Sequence, residues 1–450
     1  MDTIVAVATA PGRSAIGIIR LSGPQSLAIL RSLVHDQSFR PEAKRISLKQ
    51  IRRESGEPLD SVLVSYFERP HSFTGEEMVE LSCHGSPVIL RRVLDLAQSC
   101  GARLAEPGEF TLRACRNGKM NLSQAEAIRD LVNARTDAAA RQAVRQLGGE
   151  LAGALQPAKD KLVQIIARLE SALEFVEDDL PVIQVEEIEK GLGEVVGILK
   201  GLAATYATGR AVREGLRVVI VGCPNVGKSS LFNKLVGSAR AIVTDIAGTT
   251  RDSISESISL HGIPISLTDT AGIRAGSDRI EEIGVERTHQ AMADADLLVV
   301  VIDGSTRLSA EGLAIVTEAM RGRYVVAINK CDLVIEPEVE PQLGQALKVV
   351  HVSALTGQGL DGLTTAILEA FGAVDSEAVG LLITDSRHYD LLRRTQASLE
   401  NSVELSSQRA SEEIVLVGLH IALQFLGEIT GETTTDEILA EIFSTFCIGK

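Results

Sequence analysis

Arg217-Val-Val-Ile-Val-Gly222-Cys-Pro-Asn-Val-Gly227-Lys228-Ser229 is the stretch from which the fold of this 450-residue chain is read. Val218 to Val221 form the short apolar run of a buried strand. GxxxxGKS follows at once, and Ser230-Leu-Phe-Asn-Lys-Leu continues at helical spacing. Strand, glycine-rich loop and helix in that order are the context a phosphate-binding P-loop needs. The glycines let backbone N–H groups curl around phosphates, and the helix N-terminus adds partial positive charge. Asn225, Val226, Gly227, Lys228, Ser229 and Ser230 are the expected contacts. Lys228 would reach the β/γ-phosphates, and the Ser229 hydroxyl would ligate Mg²⁺.

Working outward, the next polar loop is Thr244-Asp245-Ile246-Ala247-Gly248-Thr249-Thr250-Arg251-Asp252. A nucleotide-sensing loop needs a hydroxyl that joins Mg²⁺ and the γ-phosphate, and Thr250 or Thr249 can supply it. Strand Ile265–Asp269 runs into Asp269-Thr270-Ala271-Gly272, where Asp269 would hold Mg²⁺ through water. Tyr324-Val-Val-Ala-Ile-Asn329-Lys330-Cys331-Asp332 reads as the base pocket. A carboxylate at Asp332 accepts from guanine N1–H and its 2-amino group, and adenine offers neither donor, so GTP is expected over ATP. Asn329 would face the other edge of the base and the Lys330 stem would lie along the ring. Ser353-Ala354-Leu355, after a strand at Lys348–Val352, completes the pocket. The water-orienting glutamine that follows DxxG in Ras-type enzymes is replaced by Ile273, so hydrolysis needs another group.

The flanks differ in texture. Residues 1–118 alternate β-rich runs (Thr3–Ala8, Ile16–Leu21, Ser61–Tyr66, Met78–Cys83) with helix Pro87–Ser99, an α+β pattern. Residues 119–213 and 373–450 carry helical periodicity, with Ser123 and Glu126 read as a capping box. The simplest architecture is an N-terminal α+β domain (1–118) and a helical bundle in two parts (119–213 and 373–450). Between those parts sits an inserted, doubly wound α/β GTPase domain (214–372). Six scattered cysteines without a CxxC pair fit reduced thiols rather than zinc or disulfides. No signal sequence is read, and no apolar run approaches the roughly 20 residues that cross a bilayer, so a cytoplasmic chain without a membrane is expected. The net charge of −15 argues against general nucleic-acid coating. Residues 1–118 nevertheless hold 15 Lys and Arg against 13 Asp and Glu, so a nucleic acid would have to meet a local patch.

Outside the GTPase motifs stand Thr9-Ala-Pro-Gly-Arg13, Gly17-Ile-Ile-Arg20, Ser72-Phe-Thr-Gly-Glu-Glu-Met-Val-Glu80-Leu-Ser-Cys-His84-Gly, Asn117-Gly-Lys119 and Phe446-Cys447-Ile-Gly-Lys450. With the Gly248-Thr-Thr-Arg-Asp252 run, the chain resembles the tRNA-modification GTPase MnmE (TrmE) family over its whole length. The resemblance implies GTP hydrolysis coupled to an aminomethyl-type modification of the tRNA wobble uridine. It implies a homodimer through the N-terminal domain, and a flavin-containing partner that completes a heterotetramer. It also implies a tetrahydrofolate derivative of the 5-formyl or 5,10-methylene type, held by Arg20, Glu80, Lys119 and Lys450. Potassium is implied at Asn225, Thr244, Ile246 and Thr249, where its charge would act as an arginine finger does. Glu281 matches the water-positioning carboxylate, with Lys228 and Arg251 completing the catalytic set. Cys447, between Phe446 and Ile448, reads as a small buried hydrophobe, with thiol chemistry the alternative. His84 reads as a satisfied structural histidine, with proton shuttling the alternative. A ribosome-assembly or signalling switch would share every GTPase motif but needs neither the Arg20/Glu80/Lys119 set nor the FCIGK run.

Overall fold

The computed structural model describes residues 2–174, 185–238, 240–241, 255–270, 289–336, 343, 346–371, 380–408 and 410–449. The chain divides into two compact units, each assembled from separated segments. The first joins Met1–Arg129, Leu147–Ala152 and Leu426–Lys450; the second joins Asp130–Gln146 and Gly153–Phe425.

In the first unit β1 (Ile4–Val7), β2 (Ile16–Ser22), β3 (Ile46–Arg52), β4 (Pro58–Phe67), β5 (Met78–His84) and β6 (Arg103–Leu104) form one sheet in the order β3-β4-β5-β2-β1-β6. Alternation sends Ile19, Leu21, Val62, Val64, Val79 and Leu81 to one face, where helices Ser26–Leu33 and Pro87–Ser99 cover them. The register puts Ile46, Ser65, Glu80 and Arg20 in one row across the opposite face, and Leu48, Leu63, Ser82 and Ile18 in the next. Strand β3 has no counterpart among the β-runs read from the sequence. It is an edge strand whose Ile46 and Leu48 are exposed, so its alternation does not advertise a buried face.

A small second core in this unit gathers Leu122 and Ala125 against Phe443 and Phe446, with Leu112 and Met120 beside them. Helix Leu122–Asn133 starts on a capping box, but not the expected one. The Gln124 N–H donates to Asn121 Oδ1 at 2.9 Å, and the Asn121 N–H donates to Gln124 Oε1 at 3.0 Å. Ser123 and Glu126 are buried inside the helix instead, which is why they do not cap it.

In the second unit β7 (Leu216–Val221), β8 (Arg240–Ala241), β9 (Ser255–Leu260), β10 (Ile263–Asp269), β11 (Leu297–Asp303), β12 (Tyr324–Asn329) and β13 (Val349–His351) lie in the order β13-β12-β11-β7-β10-β9-β8. β7, β10, β11, β12 and β13 pair in parallel, and β8 and β9 form an antiparallel edge. β12 is buried at every position, as a strand covered on both faces must be. From β7 the chain builds β8, β9 and β10 on one side and then crosses to β11 on the other. The carboxyl end of β7 is therefore a topological switch point, where open α/β sheets bind ligands. Helical segments pack on this sheet: Ala138, Ala139, Ala211 and Val212 join Leu216, Ile265 and Leu297 in one core. Helix Ser386–Ser407 lies along helix Val185–Ala204, and the Tyr206 and Tyr389 rings stack at 4.2 Å.

Contrary to the sequence expectation, one segment among the described residues, Glu412–Thr430, is long and apolar enough to cross a membrane by length and composition. Its Val415, Leu416, Leu419, Ala422, Leu426 and Ile429 are buried, while Ile414, Val417 and Ile421 are exposed.

Candidate functional site

The P-loop leaves β7 at Gly222 and enters helix Lys228–Ser238. Asn225 takes a positive φ of 63°, uncommon for a residue with a side chain and tolerated best by Asn and Asp. Gly227 cannot be replaced without cost: its φ is 96°, and a Cβ would lie 2.2 Å from Asn329 Nδ2. The Lys228 ammonium is buried and donates to the carbonyls of Gly222 (2.9 Å) and Cys223 (2.6 Å), so the lysine braces the curl of the loop. Ser229 and Ser230 are exposed on the first helical turn.

The base side is built on Asn329, at the end of β12 and 2% exposed. Its Nδ2 donates to the Val226 carbonyl at 2.8 Å, and its Oδ1 accepts the Ala354 N–H at 2.9 Å. The sequence reading sent this amide to the base. The structure shows the same amide also tying the P-loop to the Ser353-Ala354-Leu355 loop through Oδ1 and one of its two N–H groups. Lys330, at φ 65°, sets its ammonium 2.5 Å from Asp303 Oδ2 at the end of β11. Asp303 also accepts from the Ser305 N–H (3.0 Å) and hydroxyl (2.6 Å). Burial pushes the Asp303 carboxyl up, but Lys330 and Ser305 outweigh it and hold it below the usual carboxylate range. Sequence reasoning missed Asp303; the signal was an acidic residue closing the apolar run Leu297–Ile302, opposite Asn329 in the β11–β12 register. Asp332 Oδ1 accepts from the Ser353 hydroxyl at 2.6 Å, and Leu355 is exposed. Asp269 closes β10 and is buried; the neighbouring Thr270 hydroxyl is spent on the Ile220 carbonyl at 2.9 Å.

Thr244, Asp245, Ile246, Ala247, Gly248, Thr249, Thr250, Arg251, Ala271, Gly272, Ile273, Glu281 and Lys450 lie outside the described residues. Among the described residues no group of three or more His, Cys, Asp or Glu is placed to hold a metal ion.

The first unit carries a separate constellation. Arg20 and Glu80 are cross-strand partners on β2 and β5, joined by Nε and a terminal nitrogen at 2.8 and 2.7 Å. Arg20 also donates to the Gly449 carbonyl at 3.3 Å, and its guanidinium lies 5.6 and 5.7 Å from the Phe73 and Phe110 ring centroids. Lys119 is exposed and donates to the Pro70 carbonyl at 3.1 Å, on the loop that delivers Phe73. Gly108 has a φ of 66°, and a Cβ there would meet the Phe443 carbonyl at 2.9 Å; the close approach seats the segment that brings Gly449 to Arg20. Cys447 is exposed, not buried as read from its apolar neighbours, because Phe446 takes the inward position.

A P-loop at the switch point of a doubly wound sheet, tied by Asn329 to the Ser353 loop that Asp332 also engages, defines the class as a P-loop GTPase with additional domains. The family model "MnmE helical domain" matches residues 122–447, and "GTP-binding protein TrmE N-terminus" matches residues 3–119. The chain is 45% identical to the tRNA modification GTPase MnmE of Aquifex aeolicus, across 100% of both chains. It is 45% identical to the protein of that name from Koribacter versatilis, and 42% to that from Symbiobacterium thermophilum, covering 100% of this chain and 99% of each relative. The chain belongs to the MnmE family of tRNA modification GTPases.

Proposed function

We propose that this protein couples GTP hydrolysis to modification of the tRNA wobble uridine with a one-carbon unit from a tetrahydrofolate derivative. The observation that carries the reading is the Arg20–Glu80 pair under the Gly449 carbonyl, a polar site a bare GTPase switch does not need. Its partly exposed guanidinium and flanking aromatic rings suit a flat ligand that carries carboxylates, as a folate does. Lys119 and Lys450 would add cationic contacts, and the bound folate would supply the carbon.

On the GTPase side, Asp332 would accept from guanine, and Asn329 keeps a second amide N–H for the base. The exposed Ser229 hydroxyl would ligate Mg²⁺ together with Thr250. The exposed Asn225 carboxamide would give potassium an oxygen ligand, with Thr244, Ile246 and Thr249. Glu281 would position water in place of the missing glutamine, aided by Lys228 and Arg251. The exposed Ile46, Leu48 and Leu63 on the β3–β4 side of the first sheet support a homodimer through that domain. A flavin-containing protein would be the second partner and the cytoplasm the site of action. Domain limits of 1–118, 119–213, 214–372 and 373–450 fit this division of labour.

One two-part experiment tests the reading. Nucleosides from tRNA of cells lacking the protein should have lost wobble-uridine modification, and intact modification would refute the tRNA role. GTP hydrolysis by the purified chain should be at least about tenfold faster in KCl than in NaCl, given what one preorganised charge contributes. Equal rates would refute the potassium site.

A further inference from the structure

The face that bears Arg20 and Glu80 carries a second polar group. His84 closes β5 on the same face, four residues beyond Glu80 and so about 13 Å along the strand at ~3.3 Å per residue. Its side chain is 70% exposed, yet its Nδ1 lies 2.5 Å from Oδ1 of Asp60 on β4, whose side chain is 4% exposed. Asp60 has other partners: the Ser61 N–H donates to Oδ1 at 2.8 Å, and the His84 N–H donates to Oδ2 at 2.9 Å. A buried carboxylate already held by two backbone donors does not need an exposed imidazole to satisfy it. The imidazole gains more, because an ionised carboxylate only accepts. The ring proton is fixed on Nδ1, and the Nε2 lone pair is presented outward. Asp60 is the charged group recorded against the ring. Across the register β2 places Ile16, and the preceding loop places Ser14, whose hydroxyl donates to the Ile16 carbonyl and lies against Gly85.

We propose that His84, oriented by Asp60, is a proton-accepting residue of the modification reaction; the inference rests on the tRNA-modification reading above. An aminomethyl-type group requires an amine, which arrives protonated near neutral pH and has no lone pair to attack with. Nε2 takes one proton from that ammonium, breaking an N–H bond and leaving the neutral amine. The imidazolium so formed is balanced by the Asp60 carboxylate and returns its proton to water. Glu80 is less suited to this step because Arg20 already engages it.

The test uses the full chain with its flavin-containing partner, GTP, a tetrahydrofolate derivative, the amine and unmodified tRNA. The wild-type modification rate should fall on acidification, because a protonated Nε2 cannot accept. His84→Gln should lower the rate at least tenfold at neutral pH and remove that acid limb, with an unchanged circular dichroism spectrum and unfolding transition as evidence of folding. Asp60→Asn should lower the rate by weakening the hold on Nδ1. Free imidazole should restore part of the rate to His84→Gly. Overturning results would be a His84→Gln variant with the wild-type rate and pH profile, or a slow one that keeps the acid limb while His84→Gly gains nothing from imidazole. No modification by the wild type would overturn the tRNA reading and this inference with it.

Discussion

Asn329 joins two loops through one carboxamide. Truncation to alanine removes both bonds and leaves the Val226 carbonyl and the Ala354 N–H without their recorded partner. A buried group left unsatisfied costs about 1–3 kcal/mol, so a stability loss of that order is expected for Asn329→Ala in a urea titration. Nucleotide affinity should also fall at least about tenfold, equally for GDP and GTP, since the tie does not touch the γ-phosphate. A loss confined to GTP would contradict this assignment. The identity of Asn329 was legible from NKxD, but its partners were not. They sit 103 and 25 residues away in sequence and meet only when β7, β12 and the Ser353 loop converge. Asp303 was passed over for the same reason: nothing local distinguishes the residue that anchors Lys330 from any strand-ending aspartate.

At the scale of elements, legibility followed burial. The apolar runs of β7, β11 and β12 read directly because both faces are covered, and helix Pro87–Ser99 read directly because proline opens it. Strand β3 did not, since its outward face holds Ile46 and Leu48 while Ile51 alone is buried. The start of helix Leu122–Asn133 was misplaced by two residues because S-x-x-E and N-x-x-Q both satisfy the capping pattern, and only tertiary burial of Ser123 and Glu126 decides between them. Asn121→Ala should therefore destabilise this helix by about 1 kcal/mol, measured as a shift in denaturation midpoint. Ser123→Ala removes no cap and should not reproduce that loss by the capping route. If only Ser123→Ala had the larger effect, the cap assignment would be wrong.

For the whole molecule, the exposed apolar side chains of β3 and β4 set the expected assembly. A long edge strand with outward Ile46 and Leu48 is a site where a second chain docks unless charge prevents it. Leu48→Lys places an ammonium on that surface, and if the proposed homodimer forms through it, light scattering should report a dimer for the wild type and a monomer for the variant. A dimer that survives both Leu48→Lys and Ile46→Lys would place the interface elsewhere. Neither substitution alters the inward face that holds Val62, Val64 and Leu81, so the sheet itself should remain folded.

The small core of Leu122, Ala125, Phe443 and Phe446 has a consequence in time. Its two halves are separated by about 320 residues, and a ribosome adding ~5–20 residues per second needs roughly a quarter of a minute to a minute to supply the second half. Until then Leu112, Met120 and Leu122 emerge without the aromatic rings that cover them. Newly made chains pass this interval with that apolar surface still lacking its native partners. The seating of Gly449 on Arg20 thus follows synthesis of the last strand of the nucleotide-binding sheet, which ends at His351.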